Sequence, residues 1–417
     1  MAIASTCRST FYGWRVVAGA FVLATFGWGM GFYGPPVFLK IVHETTGWPL
    51  ALISSAVTMH FLVGAIAGAN LSALHQRFGA AAVTQAGAVA LAAGTAGWAM
   101  ATAPWQLFVV ALLTGAGWGA MSAAAVNAIV SPWFVRRRPA ALAMAYNGGS
   151  VGGVVFSPLW VAAIDGLGFS LATLTIASVM AVTVWVLAQA LFSRSPQAMG
   201  LTPDGDDPGT PATSVKSASA RPRPGPLLWR DPKFLTLTAG MSFGLFAQIG
   251  LVAHLFSLLT PALGAQQAGL AMGLATALAI AGRTIVGWMM PASADRRLIA
   301  SASYGVQLIG SLAFLAAAGT SVLWLLFGIV LFGIGFGNST SLPPLIAQVE
   351  FVETDVPRVV GLIVGIAQGS YAFAPAVFGA IRELAPAATA GAAPMLFAAA
   401  ALVQGLAIAA FLAGRRR

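Results

Sequence analysis

Apolar runs long enough to cross a lipid bilayer follow one another along the whole chain. About 20 apolar residues suffice for one crossing, and hydrophobic residues make up 58% of the 417 residues whereas charged residues make up 8%. A soluble domain carries about 25% charged residues. The pattern predicts an all-α integral membrane protein with twelve transmembrane helices, over residues 15–39, 49–73, 80–101, 105–130, 139–163, 169–192, 234–260, 267–291, 298–318, 321–345, 358–380 and 392–413.

Basic residues are distributed unevenly over the connections between these runs. One side of the membrane has only Lys40 and Arg382. The other side has the basic residues of the central linker together with those of the short loops and the tail, among them Arg77, Arg136, Arg137, Arg138, Arg296, Arg297, Arg415, Arg416 and Arg417. Because cytoplasmic loops carry the excess of Lys and Arg, this asymmetry predicts cytoplasmic N- and C-termini in a multi-pass inner-membrane protein. The same loops account for the net charge of +10 without a nucleic-acid partner.

The segment between residues 193 and 233 differs from the rest because Pro, Gly, Ser and charged residues dominate it. Such a segment cannot bury enough apolar area to fold alone, so it predicts a disordered cytoplasmic linker. The predicted units are therefore an N-terminal six-helix bundle over 1–192, the linker over 193–233, and a C-terminal six-helix bundle over 234–417.

The two halves repeat one another. A Gly-x-Gly-x-Gly pattern that begins at Gly115 recurs 218 positions later at Gly333, and a second pattern over 134–158 recurs 217 positions later over 351–375. Six-helix repeats of equal orientation are related by an axis along the membrane normal. This is the arrangement of transporters that bind substrate near the midplane between two halves.

Motifs at the helix ends carry a family resemblance. They are Tyr12-Gly13-Trp14 before the first helix, Trp133-Phe134-Val135-Arg136-Arg137-Arg138 at the entry to the fifth, and Pro203-Asp204-Gly205 in the linker. In these motifs the chain resembles the major facilitator superfamily, and within it the bacterial monocarboxylate porter and oxalate–formate antiporter branch. The resemblance implies two pseudo-symmetric six-helix bundles and transport by alternating access.

The resemblance also implies functional positions. In this superfamily helices one, four, seven and ten line the cavity, with five, eight and eleven beside them, which favours five polar side chains as substrate ligands: Tyr33, Asn147, Asn338, Gln368 and Tyr371. The branch implies an outer gate at Lys40 that attracts anions, against the alternative of an ordinary interfacial lysine. The helix 2–3 loop keeps Arg77 but lacks the family's aspartate, whereas its second copy keeps Asp295 and Arg296. These three residues are the predicted conformational loops.

Arg283 lies in an apolar run, 268–290, that contains no Asp, Glu or Lys. An arginine there costs about 2.5–3.5 kcal/mol on insertion scales, so its side chain should face a protein interior or a watery cavity. Guanidinium groups bind carboxylates through paired N–H donors. Arg283 is therefore the predicted anchor of an anionic substrate. The alternative is a structural arginine that binds helix-end carbonyls or extends towards the cytoplasm.

His254 and His60 are the predicted proton carriers. The spans offer no buried Asp or Glu, and Ala279 stands where the branch often has a carboxylate one turn before the arginine. Histidine titrates near neutral pH. The alternative for each is a neutral histidine that is hydrogen-bonded to the helix backbone. In that case the substrate's own carboxyl group carries the proton, or transport is pure exchange.

Together these features predict a secondary transporter of small organic anions, monocarboxylates first, by proton symport or anion exchange. A drug or amphiphile exporter driven by proton antiport is the alternative within transport, and a transporter-like nutrient sensor is a further one. An enzyme is not expected, since no intramembrane set of acid, nucleophile or metal ligands is present and Cys7 is the only cysteine. We expect a monomer in the lipid bilayer, without cofactor or metal.

Cysteine labelling tests the predicted topology. With Cys7 replaced by serine, a cysteine at Lys40 should react with an impermeant maleimide added outside intact cells. A cysteine at Ser217 in the linker should react only after the membrane is opened. Labelling of both cysteines from the same side would contradict the topology.

Overall fold

Twelve helices run through the part of the chain that the structure, a computed structural model, describes: residues 11–205, 228–291, 293–352, 355–384 and 392–415. Eleven of them are long and apolar enough to cross a membrane, and the tenth is shorter. Their bounds are α1 Tyr12–Thr46, α2 Leu50–Ala69, α3 Ala80–Met100, α4 Pro104–Trp133, α5 Arg138–Leu167, α6 Phe169–Phe192, α7 Pro232–Leu263, α8 Ala265–Met289, α9 Arg296–Ala317, α10 Val322–Phe336 continued by Leu342–Glu350, α11 Arg358–Glu383 and α12 Pro394–Ala413. The twelve-helix prediction is confirmed. Most of the predicted linker, residues 206–227, lies outside the described residues.

Proline interrupts three of these helices. The interruptions are residues 32–33 in α1 before Pro35-Pro36, 337–341 in α10 before Pro343-Pro344, and 372–373 in α11 before Pro375. Proline has no N–H, and it disfavours the α conformation of the residue that precedes it. Each interruption therefore frees backbone carbonyls inside a membrane helix, where the protein itself must supply their hydrogen-bond donors.

Helices α1–α6 and α7–α12 form two bundles with the same internal packing. In the first bundle Gly115 of α4 lies against α2, and a Cβ added to it would come within 2.5 Å of the His60 carbonyl oxygen. In the second bundle Gly333 of α10 lies against α8, and an added Cβ would come within 2.7 Å of the Ala275 carbonyl oxygen. The repeated glycines are thus equivalent helix contacts, since only small residues let two backbones approach this closely.

The bundles meet through three helix pairs, α5–α8, α2–α11 and α1–α7. Along the first pair the contacts extend from Gly269, near the start of α8, to Arg283. Nearer the linker, Gly287 of α8 and Gly365 of α11 have no packing neighbour within 4 Å of an added Cβ among the described residues. The contacts between the bundles are therefore concentrated at the end away from the linker, which we call the closed end.

Reciprocal helix caps join α2 to α11 at the closed end. The Glu383 carboxylate accepts a 2.8 Å hydrogen bond from the Ala51 N–H in the first turn of α2. In return, Thr58 Oγ1 accepts a 3.2 Å hydrogen bond from the Ala376 N–H, in the first turn of the segment Ala374–Glu383. The first N–H groups of a helix lack intrahelical partners, so each bundle caps a helix of the other. We call these two bonds the α2–α11 latch.

Asp204 binds the start of the predicted linker to the first bundle. Its carboxylate accepts hydrogen bonds of 3.0, 2.8 and 3.1 Å from the backbone N–H groups of Val135, Arg136 and Arg137, just before α5. Burial raises the pKa of Asp204, but these hydrogen bonds and the charge of Arg136 outweigh burial and hold the pKa below its ordinary value. This part of the linker therefore packs on the bundle, in contrast to the disorder predicted for it.

Loss of either cap should loosen the closed end. One helix cap contributes about 1 kcal/mol, so Thr58→Val and Glu383→Ala should each raise the fraction of molecules open at this end about fivefold. Val57 is 1% exposed beside the latch. The rate at which a cysteine at this position reacts with a thiol reagent, in a Cys7→Ser background, measures the open fraction.

Thr45→Val is the matched control, because the Thr45 hydroxyl bonds only carbonyls of its own helix. Its labelling rate should equal that of the parent protein. An unchanged rate in both cap variants would show that the α2–α11 latch does not hold the closed end.

Candidate substrate-binding site

The packing of α8 on α10 fixes the position of Arg283. A Cβ added to Gly282 of α8 would collide with the Ile334 carbonyl oxygen, and one added to Gly337 of α10 would collide with the Ala279 carbonyl oxygen. The two helices therefore touch backbone to backbone. The Cβ of Arg283 lies beside Gly337 at this contact, and its guanidinium extends to α5 in the other bundle.

The interruption of α1 brings Tyr33 to the same place. The Tyr33 ring lies against Gly153 of α5, where a larger residue would displace it. Its hydroxyl faces Thr276 of α8, whose own hydroxyl donates to the Met272 carbonyl at 3.1 Å, and it lies within electrostatic range of Arg283. Tyr33 is 5% exposed. Side chains of α1 and α8 thus converge where α8 faces α5.

At this place the Arg283 guanidinium contacts a hydroxyl group and not a carboxylate. Its Nη2 donates a hydrogen bond of 3.3 Å to Ser150 Oγ on α5. Among the described residues, no carboxylate lies within ion-pairing distance of Arg283. A guanidinium has five N–H donors in a planar fork. Most of these donors are therefore available to a solute, and the fork suits the two oxygens of a carboxylate.

An apolar pocket adjoins Tyr33 and Thr276. Side chains of α7, α8 and α10 form its walls, namely Val252, Leu255, Met272, Ala275, Phe332 and Phe336. No charged residue lines this pocket. The pocket has a volume of about 20 Å³, the space of one water molecule, and Arg283 does not line it, so the apolar body of a solute would have to displace these side chains.

Asn338, a predicted ligand, lies in the interruption of α10 and is 3% exposed. A buried amide cluster supports this interruption. Gln248 Nε2 donates to Gln307 Oε1 and to Ser339 Oγ, each at 3.0 Å, and Gln307 Nε2 donates to the Gly335 carbonyl at 3.1 Å. The cluster supplies the donors that an interrupted membrane helix needs.

The three remaining predicted ligands do not all gather at Arg283. Asn147 is exposed on α5, one turn nearer the linker than the serine that Arg283 contacts. Tyr371 lies at the interruption of α11, with its ring centroid 6.0 Å from that of Phe61 in α2, and Gln368 precedes it by one turn on the same helix. The pair on α11 therefore belongs to the α2–α11 contact.

The predicted proton carriers are both buried and bonded to backbone. His60 Nε2 donates to the Gly31 carbonyl at 2.9 Å, and its Nδ1 lies 2.9 Å from Thr114 Oγ1. His254 Nε2 donates to the Pro375 carbonyl at 3.1 Å, whereas its Nδ1 has no partner among the described residues. Both ring nitrogens of His60 therefore have partners, whereas His254 keeps one nitrogen available.

Lys40 does not lie at the outer end of the first helix, where the sequence placed it. α1 continues beyond it to Thr46, and Lys40 Nζ forms an ion pair of 2.6 Å with Glu44 one turn later. The structure therefore gives Lys40 an acidic partner that the hypothesis of an anion-attracting gate did not include.

A family model described as Major Facilitator Superfamily matches residues 17–379. The chain belongs to the major facilitator superfamily. The family and the fold identify a membrane transporter and not an enzyme. No curated protein matches the sequence at a significant level.

Solved transporters share the fold of this superfamily member at low sequence identity. A bacterial homologue of the human lysosomal transporter Spinster, inward-facing and unoccupied, is 16% identical with a TM-score of 0.74 and 98% of both chains covered. The nucleoside transporter NupG is 14% identical with a TM-score of 0.70, covering 98% of this chain and 100% of its own. A D-xylose–proton symporter is 13% identical with a TM-score of 0.74 and 97% of both chains covered. These identities show the fold alone, so the substrate has to be argued from the site.

The predicted conformational loops make different contacts from one another. Arg77 lies over the ring of Phe78, 5.2 Å from its centroid. Asp295 caps the start of α9 and pairs with Arg415 at 2.6 Å, and burial, which raises the pKa of Asp295, is outweighed by these contacts. Arg296 donates to a backbone carbonyl near the end of α10.

The most buried ion pair of the described residues was not predicted. Arg297 is 2% exposed, and its Nε and Nη2 donate to the Glu350 carboxylate at 2.6 and 2.8 Å. It also donates to Thr236 and to the Lys233 carbonyl, so it joins α9, α10 and the start of α7. One sequence signal pointed to it: Glu350 is an acid in a connection on the side where basic residues predominate.

Breaking this pair should destabilise the second bundle. Glu350→Ala leaves a buried guanidinium without its counter-charge, which costs about 3–5 kcal/mol, and the melting temperature of the detergent-solubilised protein should fall clearly. The double variant Arg297→Met, Glu350→Leu removes both charges and should recover most of the loss.

Arg415→Ala is the control, because it breaks an exposed pair worth about 0–1 kcal/mol. A melting temperature for Glu350→Ala no lower than that of Arg415→Ala would contradict a structural role for the buried pair.

Proposed function

We propose that this transporter carries small organic anions, with monocarboxylates as the favoured class. The observation that supports the proposal is the Arg283 guanidinium, which lies between the bundles without a carboxylate partner among the described residues. A charge in a membrane span is costly and is usually functional. A transported anion, which binds and is then released, would supply the missing counter-charge of Arg283.

The surroundings of Arg283 favour one negative charge per molecule. The hydroxyls of Tyr33, Ser150 and Thr276 can donate to carboxylate oxygens or accept from a hydroxyl on the solute. A second carboxylate would face the apolar pocket, which contains no cation. Its desolvation would then be uncompensated. A monocarboxylate with a small apolar body avoids this cost.

Alternating access follows from the two ends of the molecule. In this proposal a cavity between the bundles opens towards the linker, on the side that the basic loops predict to be cytoplasmic. A solute therefore reaches Arg283 from the cytoplasm in this conformation. Release on the other side requires the α2–α11 latch to open. The units 1–192 and 234–417 are the two bodies that we expect to move, as a monomer in the inner membrane.

Proton symport and anion exchange remain the two proposed modes. His254 can carry a proton because its Nδ1 has no partner among the described residues. Alternatively the substrate carries the proton itself, since a neutral acid loses its attraction to Arg283. Drug export by proton antiport is the alternative function. It has the apolar pocket in its favour, but Arg283 would repel the cationic amphiphiles that such exporters take.

Uptake into liposomes tests the role of Arg283. Purified protein should take up at least one member of a labelled panel (acetate, lactate, pyruvate and oxalate), with either a pH gradient or an internal counter-anion as driving force. Arg283→Ala should lower kcat/KM at least about 100-fold, since the anion loses its counter-charge. Arg283→Lys keeps the charge but loses the fork and should lower it about tenfold.

Arg15→Ala is the matched control, because Arg15 is an exposed cation at the start of α1, away from the site. It should transport at the parent rate. If Arg283→Ala folds and still accumulates the carboxylate at a near-native rate, the anchor is elsewhere. Uptake of lipophilic cations in place of carboxylates would favour the drug-export alternative.

A further inference from the structure

The interruption of α1 leaves the backbone carbonyls of Gly29, Gly31 and Phe32 without their usual helical donors, since residues 35 and 36 are both proline. In an α-helix the carbonyl of residue i accepts from the N–H of residue i+4. Residue 35 is proline and has no N–H, so the Gly31 carbonyl has no donor within the helix. At the same place the Tyr33 N–H donates to the Trp28 carbonyl at 2.9 Å, which leaves the Gly29 carbonyl free as well. Water cannot satisfy such groups inside a bilayer.

Side chains from two neighbouring helices donate hydrogen bonds to the two glycine carbonyls. His60 Nε2 of α2 donates to the Gly31 carbonyl at 2.9 Å, and Trp160 Nε1 of α5 donates to the Gly29 carbonyl at 3.0 Å. Both donors are buried, with 2% and 0% of their surfaces exposed. The interruption is therefore held from two sides by hydrogen bonds that cross between helices.

The bonding of His60 accounts for both of its ring nitrogens. A carbonyl oxygen can only accept, so the hydrogen of the neutral ring lies on Nε2, and Nδ1 accepts from the Thr114 hydroxyl. To bind a transported proton, Nδ1 would have to lose its hydrogen bond from Thr114. The Thr114 hydroxyl would then donate to the Ala111 carbonyl, 3.3 Å away. In the observed arrangement His60 binds the backbone of α1 and has no ring nitrogen left for a proton or a solute.

Whether these carbonyls are hydrogen-bonded also affects the electrostatic potential at the anion site. In transporters with interrupted helices, free carbonyls coordinate cations. Free carbonyls beside Arg283 would oppose anion binding, because the oxygen is the negative end of the peptide dipole. Here the Gly31 carbonyl already accepts from an imidazole N–H and the Gly29 carbonyl from an indole N–H. The interruption therefore offers the Tyr33 phenol at the site without the negative potential of two free glycine carbonyls.

We propose that His60 and Trp160 are positioning residues of the anion site. Through the two glycine carbonyls they fix the interruption of α1 and keep the Tyr33 phenol beside Arg283. This inference rests on the proposed anion site. It gives His60 a role in place of proton transfer, and it gives Trp160 a role that no motif indicated.

The first test reports on Tyr33 without any substrate. 3-Fluorotyrosine is placed at position 33 alone, and the ¹⁹F resonance of the full-length protein is recorded in detergent or nanodiscs. His60→Leu and Trp160→Phe should each shift the resonance or split it into several. His60→Gln should restore the parent resonance, because its amide places an N–H donor close to the position of Nε2. Trp98→Phe changes another buried indole of the same bundle and should leave the resonance unchanged.

The second test uses the carboxylate of the panel that shows Arg283-dependent uptake. His60→Leu and Trp160→Phe should each raise KM about fivefold or more, with a smaller change in kcat, since a carbonyl is left unpaired beside the site. His60→Gln should keep the parent KM. It should also keep the parent pH profile, which a lost proton carrier would not.

The outcomes separate this inference from the proposed function. If no carboxylate shows Arg283-dependent uptake, the proposed function fails, and the ¹⁹F resonance alone decides whether the two donors position Tyr33. An unchanged resonance in both His60→Leu and Trp160→Phe would overturn the inference. Loss of pH dependence in His60→Gln would also overturn it and would make His60 a proton carrier. If His60→Leu does not fold, Trp160→Phe and His60→Gln still decide.

Discussion

The site depends on a positive charge that the protein places inside a membrane-spanning helix and pairs with no carboxylate among the described residues. Arg283 is held there by backbone contact between α8 and α10, which glycines at the crossing allow. Its Nη2 bond to Ser150 joins the two bundles. An unpaired guanidinium there favours any solute that brings a negative charge. Binding, and the contact between the bundles, therefore involve the same residue.

The hydrogen-bonding demands of interrupted helices shape the rest of the site. The interruption of α1 is held by donors from α2 and α5, and the interruption of α10 is held by an amide cluster from α7 and α9. Helix α2 also carries Thr58 of the α2–α11 latch, and α5 carries Ser150. The helices that separate when the closed end opens are thus the same helices that fix Tyr33 and contact Arg283. Opening that end is expected to disturb the anion site.

The sequence predicted the elements that follow from apolar length and from repetition, because both are properties of the chain itself. Arg283 was identified because a lone charge in an apolar run is costly wherever the helix lies. The partner of that charge was not predictable, since Ser150 carries a hydroxyl of a kind that most membrane helices use for packing. Asp204 was seen only as part of a motif, and its role as a cap of the α4–α5 connection depends on a chain reversal that spacing does not show. Arg297 was assigned to a loop because charge counting does not distinguish an exposed arginine from a buried one.

The central claim is that the Arg283 guanidinium binds the transported carboxylate directly. Solid-state NMR dephasing between a ¹³C-labelled carboxylate and guanidinium-¹⁵N arginine, in protein reconstituted with lipid, measures this contact. We expect one carboxylate carbon within about 4 Å of guanidinium nitrogens, as paired N–H···O bonds require, and loss of that dephasing in Arg283→Lys. Dephasing that persists in Arg283→Lys, or its absence in protein that binds the carboxylate, would contradict the account.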